Sequence, residues 1–127
     1  MAKSALWKKG DAVRTRLMGQ ATVRNMNKGV YDDPIMEKFG DYAREAVFGM
    51  LWSRPGLDLK TRSLITVAML TAQGKQQELK AHVRGALNNG ATPEEIRELM
   101  LHATVYCGFP TAIDAFRSAT EVIEPKT

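Results

Sequence analysis

The chain has 127 residues, 44% of them hydrophobic and 25% charged, with a formal net charge of +4. That length suits one domain with a real core, and the composition is that of an ordinary soluble globular protein. No run approaches the roughly 18 apolar residues of a membrane span, the N-terminus lacks a signal-peptide core, and the single cysteine, Cys107, excludes an internal disulfide or a CxxC pair, so a reducing, cytoplasmic setting is expected.

The positive charge is concentrated at the start. Residues 1–28 hold Lys3, Lys8, Lys9, Arg14, Arg16, Arg24 and Lys28 against Asp11 alone, a basic N-terminal arm spanning about residues 1–30. Such an arm suits phosphates, a solvated helix face or anionic substrates. No zinc-finger spacing or aromatic-interleaved patch accompanies it, so nucleic acid is not the expected partner.

Residues 6–18 read as a helix pointed by Leu6, Val13 and Leu17, and residues 20–32 as irregular. Asp33-Pro34 opens a second helix, in which Ile35, Phe39, Tyr42, Ala46 and Val47 form a stripe expected to be buried, with fraying at Gly49. Arg54-Pro55-Gly56-Leu57 is a turn. Asp58 caps a helix whose Leu64, Ile65, Val67, Met69 and Leu70 are apolar on most sides, predicting a central element that stops at Gly74. A helix over about 76–89 ends at Gly90. Thr92-Pro93-Glu94-Glu95 is a capping box for the next, and Gly108-Phe109-Pro110 separates that from a last helix with Ile113, Phe116 and Val122. The expected fold is all-α: a single domain, a compact bundle of about six helices with a central helical hairpin over 76–107.

Within that hairpin Glu78 and His82 stand four residues apart, one turn along the same helix face. At about 100° per residue from Glu78, His82 falls near 40°, Ala86 near 80°, Leu79 near 100° and Val83 near 140°, so the pair borders the apolar stripe. Glu and His are the side chains most used for proton transfer near neutral pH, and a neighbouring carboxylate is expected to raise the imidazole pKa. The same spacing also fits an exposed i,i+4 pair worth a few tenths of a kcal/mol. His102, in an apolar run, reads as a core or interface histidine, and Cys107 as an inert small core residue. Arg54 and Arg62, flanking the Pro-Gly turn, suit carboxylate anchoring or plain surface. Trp52 and Tyr106 suit packing or ligand contact. No metal-ligand or phosphate-loop motif occurs.

The pattern His82-x3-Ala86-x3-Gly90-x-Thr92-x-Glu94-Glu95-Ile96 resembles the carboxymuconolactone decarboxylase family, which shares its all-helical fold with the alkylhydroperoxidase D-type proteins. Leu51-Trp52-Ser53-Arg54-Pro55-Gly56-Leu57-Asp58, Thr61-Arg62-Ser63-Leu64-Ile65-Thr66 and Tyr106-Cys107-Gly108-x-Pro110 are similar to the 4-carboxymuconolactone decarboxylase branch. Phe48 stands where that branch would be expected to hold tryptophan, and Lys75 and Glu78 stand where the peroxidases hold cysteines. A thiol–disulfide cycle is therefore disfavoured.

The resemblance implies decarboxylation of 4-carboxymuconolactone to 3-oxoadipate enol-lactone in aromatic-acid catabolism, without metal or organic cofactor. His82 and Glu78 are then the expected catalytic residues, and Arg54, Arg62, Trp52 and Tyr106 the expected substrate-binding ones. It also implies a ring-like homo-oligomer, a hexamer. The alternatives are an enzyme of the same fold acting on another lactone or keto acid, and a non-catalytic helical binding module.

Overall fold

The structure, a computed structural model, describes residues 2–26, 28 and 32–125. Among these the chain is all-helical and falls into two compact units, Met1–Leu57 and Asp58–Thr127. None of the helices is long and apolar enough to cross a membrane.

The first unit holds α1 (Ala5–Met18), α2 (Gln20–Met26), α3 (Pro34–Tyr42) and a π-type continuation of α3 over Ala43–Trp52. Ser4 caps α1 by accepting from the Trp7 N–H, and Asp33 caps α3 by accepting from Ile35 and Met36. The short α2 lies inside the stretch expected to be irregular; Asn27 and Gly29 of that stretch lie outside the described residues. With α2, the described residues hold seven α-helices, where about six were expected. The α3 register also departs from expectation. Ile35, Phe39, Tyr42 and Val47 are exposed, while Gly40, Arg44, Phe48, Gly49 and Trp52 turn inward.

The reason lies in how α1 meets the π segment. A Cβ at Gly10 would overlap the Arg44 carbonyl, and one at Gly49 would press on the Leu6 backbone, so only glycines permit this approach. The seam beside it is polar. Trp7 Nε1 donates to Asp41 at 2.9 Å, Arg44 pairs with Asp11 at 2.8 Å, and the Arg44 guanidinium lies 4.8 Å from the centre of the Trp7 ring. The Trp7 hydrogen bond, ahead of Lys3, holds the Asp41 carboxyl below its usual range. Of the basic residues near the start of the chain, Arg14 is buried and Lys3 pairs with Asp41, while Lys8, Lys9 and Arg16 lie exposed on α1, as a solvated helix face would place them.

The second unit holds α4 (Leu59–Gln73), α5 (Gln76–Asn88), α6 (Pro93–Tyr106) and α7 (Phe109–Ile123). Gly74, at φ +70°, ends α4 in a left-handed cap. The N–H groups of Gly74 and Lys75 return to the Thr71 and Leu70 carbonyls, which folds α5 back along α4. Thr92 and Glu95 form the expected reciprocal capping box, and Lys60 bonds Glu95 at 2.9 Å, tying the start of α4 to that of α6.

Val67, Leu79, Val83, Ile96 and Met100 form the centre of the core, each almost fully buried. At about 25 cal/mol per Å², each large aliphatic side chain there contributes about 2 kcal/mol. Two expectations change. α5 packs on α4 and α7, and α6 on α7 and α4, so α5 and α6 do not close on each other as a central hairpin. And α4 buries one stripe, Ser63, Val67 and Thr71 at i, i+4 and i+8, while Ile65 and Met69 face outward. The Ser63 and Thr71 hydroxyls are satisfied by donating to the carbonyls of Leu59 and Val67.

Candidate functional site

α5 presents Leu79, Val83, Gly85 and Ala86 to the interior. On the wheel Gly85 lies near 340° and Ala86 near 80°, so His82 at about 40° falls inside the buried arc rather than on its border. Its ring is held half-buried, with Nδ1 shielded from solvent. Burial pushes its pKa down from 6.5 to about 4, because an imidazolium loses its hydration there.

This corrects the expectation from spacing. Glu78 sits exposed in the first turn of α5, where it complements the helix dipole, and desolvation rather than its charge sets the imidazole pKa. At neutral pH His82 is therefore an uncharged imidazole, able to donate a hydrogen bond or accept a proton, and not a resident acid.

α5 is positioned from two sides. The Gly74 turn places it against α4. Two polar links fix it to α7: the Ser118 hydroxyl donates to Gln76 Oε1, and Lys80 pairs with Glu121 at 2.7 Å. These hold the helix that carries His82 at both of its flanks.

Arg62 lies on α4, the helix packed against α5, and is half-buried with its Nε shielded from solvent. Arg54 is exposed in the turn after the π segment, and Trp52 is buried in the first unit with its ring 5.8 Å from that of Phe48 at a 46° tilt. Tyr106 is at the far end of α6, 79% exposed, and stacks on His102 at 5.0 Å.

His102 is therefore exposed, not a core residue. With Tyr106 and Cys107 it lines a cavity of about 250 Å³ closed by Ala68, Leu99 and Ala103. Neither His82 nor Glu78 lines that cavity. The signal that could have separated the histidines is the register of the buried positions. On α6, Ile96, Met100 and Ala103 face inward and leave His102 outside, whereas on α5 the inward set brackets His82.

Among the described residues no cluster of three or more His, Cys, Asp or Glu is placed to hold a metal. Cys107 is a free thiol.

The helical sequence that builds this arrangement matches the family model described as carboxymuconolactone decarboxylase over residues 37–121. The chain is 38% identical over 118 residues to a 4-carboxymuconolactone decarboxylase of Acinetobacter baylyi, covering 93% of this chain and 87% of that one. It is 42% identical over 110 residues to a nitrosuccinic acid decarboxylase of Metarhizium robertsii, covering 87% and 76% respectively. The matched region contains α5 with its inward histidine, and both alignments run over most of each chain. The chain belongs to the carboxymuconolactone decarboxylase family.

Proposed function

We propose that this chain is a cofactor-independent carboxy-lyase that converts 4-carboxymuconolactone to 3-oxoadipate enol-lactone in aromatic-acid catabolism. The observation that carries the reading is His82, held neutral by burial on the inner face of α5 in a chain whose relatives are named decarboxylases.

The substrate supplies its own electron sink. The bond to the departing carboxylate breaks, CO2 leaves, and the electron pair moves through the ring double bond to the lactone carbonyl oxygen. A proton then returns to the ring carbon. The protein has to stabilise charge on that oxygen, hold the retained carboxylate, and leave the departing one poorly solvated. A neutral imidazole N–H suits the first task, since it donates a hydrogen bond without neutralising the carboxylate that must leave. A seated anion also raises the proton affinity of the ring, so His82 can collect a proton once substrate is bound and pass it to carbon. Glu78, at the solvent side of the same face, is the group through which that proton is exchanged. Arg62, on the helix packed against α5, is the anchor for the retained carboxylate, and Trp52 has a packing role within the first unit.

The second relative favours a wider reading of the substrate. In nitrosuccinic acid one carbon bears the carboxylate to be lost, a CH2–COO⁻ arm that stays, and a nitro group that takes the electron pair. 4-Carboxymuconolactone has the same half, with the conjugated lactone in place of nitro. A site built for this half requires an anion anchor and a donor at the sink oxygen, which Arg62 and His82 supply.

The test is to mix pure protein, with nothing added, with each compound and follow CO2 release and product formation. Enol-lactone formation above background supports the reading. Turnover of nitrosuccinate alone moves the substrate to the other member of the class, and no turnover of either at high protein concentration rejects decarboxylation. Salt-sensitive nucleic-acid binding that is indifferent to His82→Ala would instead favour a binding module.

A further inference from the structure

The rotation of α5 about its own axis decides how far His82 is buried. On the wheel that puts Glu78 at zero, His82 lies near 40°, and Glu78 itself is exposed. A turn of about 40° would therefore carry the imidazole from its place beside Ala86 to the angle at which the preceding turn meets solvent. The helix start does little to prevent this, because its N-cap, Lys75, makes no side-chain capping bond. The apolar contacts of Leu79, Val83 and Ala86 resist it only weakly, since burial of apolar surface is non-directional.

Two polar rungs oppose such a turn. Gln76 and Lys80, near 160° and 200° and one helical turn apart, reach Ser118 and Glu121, which are themselves one turn apart on α7. The two rungs are unequal. The Lys80 and Glu121 side chains are 27% and 64% exposed, and water and salt weaken an ion pair there. Ser118 is buried with Ala112, Ala115 and Ala119 on the inner face of α7, and its hydroxyl donates to Gln76 Oε1. A buried hydrogen bond is directional and costly to leave unmade, so this rung is the one that fixes the angle.

We propose that Gln76 and Ser118 are positioning residues for His82: their hydrogen bond sets the rotation of α5 and keeps the imidazole on the buried arc of that helix. Their part in turnover rests on the decarboxylase reading, whereas their hold on the ring does not. The charges on α5 and on the helices packed against it have other partners or face water. Lys60 bonds Glu95, Lys80 bonds Glu121, Arg117 lies 3.5 Å from Asp114, and Glu78 and Arg84 are exposed. Arg62 is the half-buried charge on α4. Burial is what lowers the His82 pKa, so its titration reports the angle of the helix.

The experiment follows the imidazole signals of the full chain by NMR from pH 3 to 8, with His102→Gln identifying which signal is His82. In the wild type His82 is expected to titrate near 4. Ser118→Ala, which favours the helix, and Gln76→Leu should each move it toward 6.5 by about one pH unit or more, as the ring regains water. Lys80→Gln should leave it within about 0.3 unit. Ser118→Ala and Gln76→Leu proteins that lose stability but keep the wild-type titration overturn the proposal, because a merely structural bond would behave so. An equal shift in Lys80→Gln also contradicts it. In the decarboxylation assay the acid limb of kcat/KM should move up with the ring. A wild type that turns over neither compound removes the decarboxylase reading and leaves the titration to decide the positioning role.

Discussion

α5 and α6 each carry one histidine among apolar neighbours, and the fold treats the two in opposite ways. His82 is drawn into the buried arc of α5 between Gly85 and Ala86, and its pKa falls to about 4. His102 is turned outward on α6 and stacks on an exposed tyrosine. The sequence neighbourhoods suggest otherwise, a charged pair on α5 and a core or interface histidine on α6. A histidine's role thus follows from the phase of its helix against the packing partners, not from the polarity of its immediate neighbours. One ring is desolvated and neutral, and the other belongs to a surface.

The comparison breaks most readily at the packing that seats α5. Leu79→Ala removes a fully buried side chain beside His82 and is expected to lower unfolding free energy by about 2–5 kcal/mol in denaturant titration. The same change at Leu101, on the outer face of α6, should cost far less in a monomeric background.

Protonation sharpens the contrast next. Because the folded pKa of His82 is depressed, the unfolded chain takes up a proton at this site before the folded one does. Above pH 6.5 both states are neutral and the site contributes no pH dependence. As pH falls from 6.5 to about 4, stability is lost, by about 3 kcal/mol at ~1.4 kcal/mol per pH unit. Denaturation of wild type and His82→Gln across that window should show this loss only in the wild type.

At the level of turnover, His82→Ala is expected to reduce kcat at least about a hundredfold, whereas His102→Ala in protein of unchanged mass should stay within a few-fold. Equal losses would erase the distinction. The smallest effect belongs to Glu78. Exposed in the first turn, Glu78→Gln should change stability by a few tenths of a kcal/mol, and a drop in kcat without a change in KM would assign it to proton exchange.

The fold was legible where local chemistry dictates it. The Asp33-Pro34 and Asp58 caps, the Gly74 stop and the Thr92–Glu95 box stand as the sequence predicts. What it hides is long-range. The register of α3 is reversed by the glycine-mediated approach of α1 to the π segment, which brings Phe48 and Trp52 inward and leaves Ile35 and Phe39 out. The separation of α5 from α6 depends on α4 and α7 filling the space that a hairpin would close. At the site, the i,i+4 spacing of Glu78 and His82 was visible. The direction of the His82 shift was not, because periodicity places Leu79 and Ala86 on a wheel without saying how completely their neighbours exclude water.

The most direct test of the account is the pH profile of kcat/KM for decarboxylation, compared between wild type and His82→Gln. A neutral imidazole in the free enzyme predicts a profile that is flat from about pH 6 to 8 and falls as pH drops toward 4, with that acid limb absent from whatever activity the variant retains. A profile that instead declines above about pH 6.5 in the wild type alone would show that His82 works as a resident imidazolium, and would contradict it.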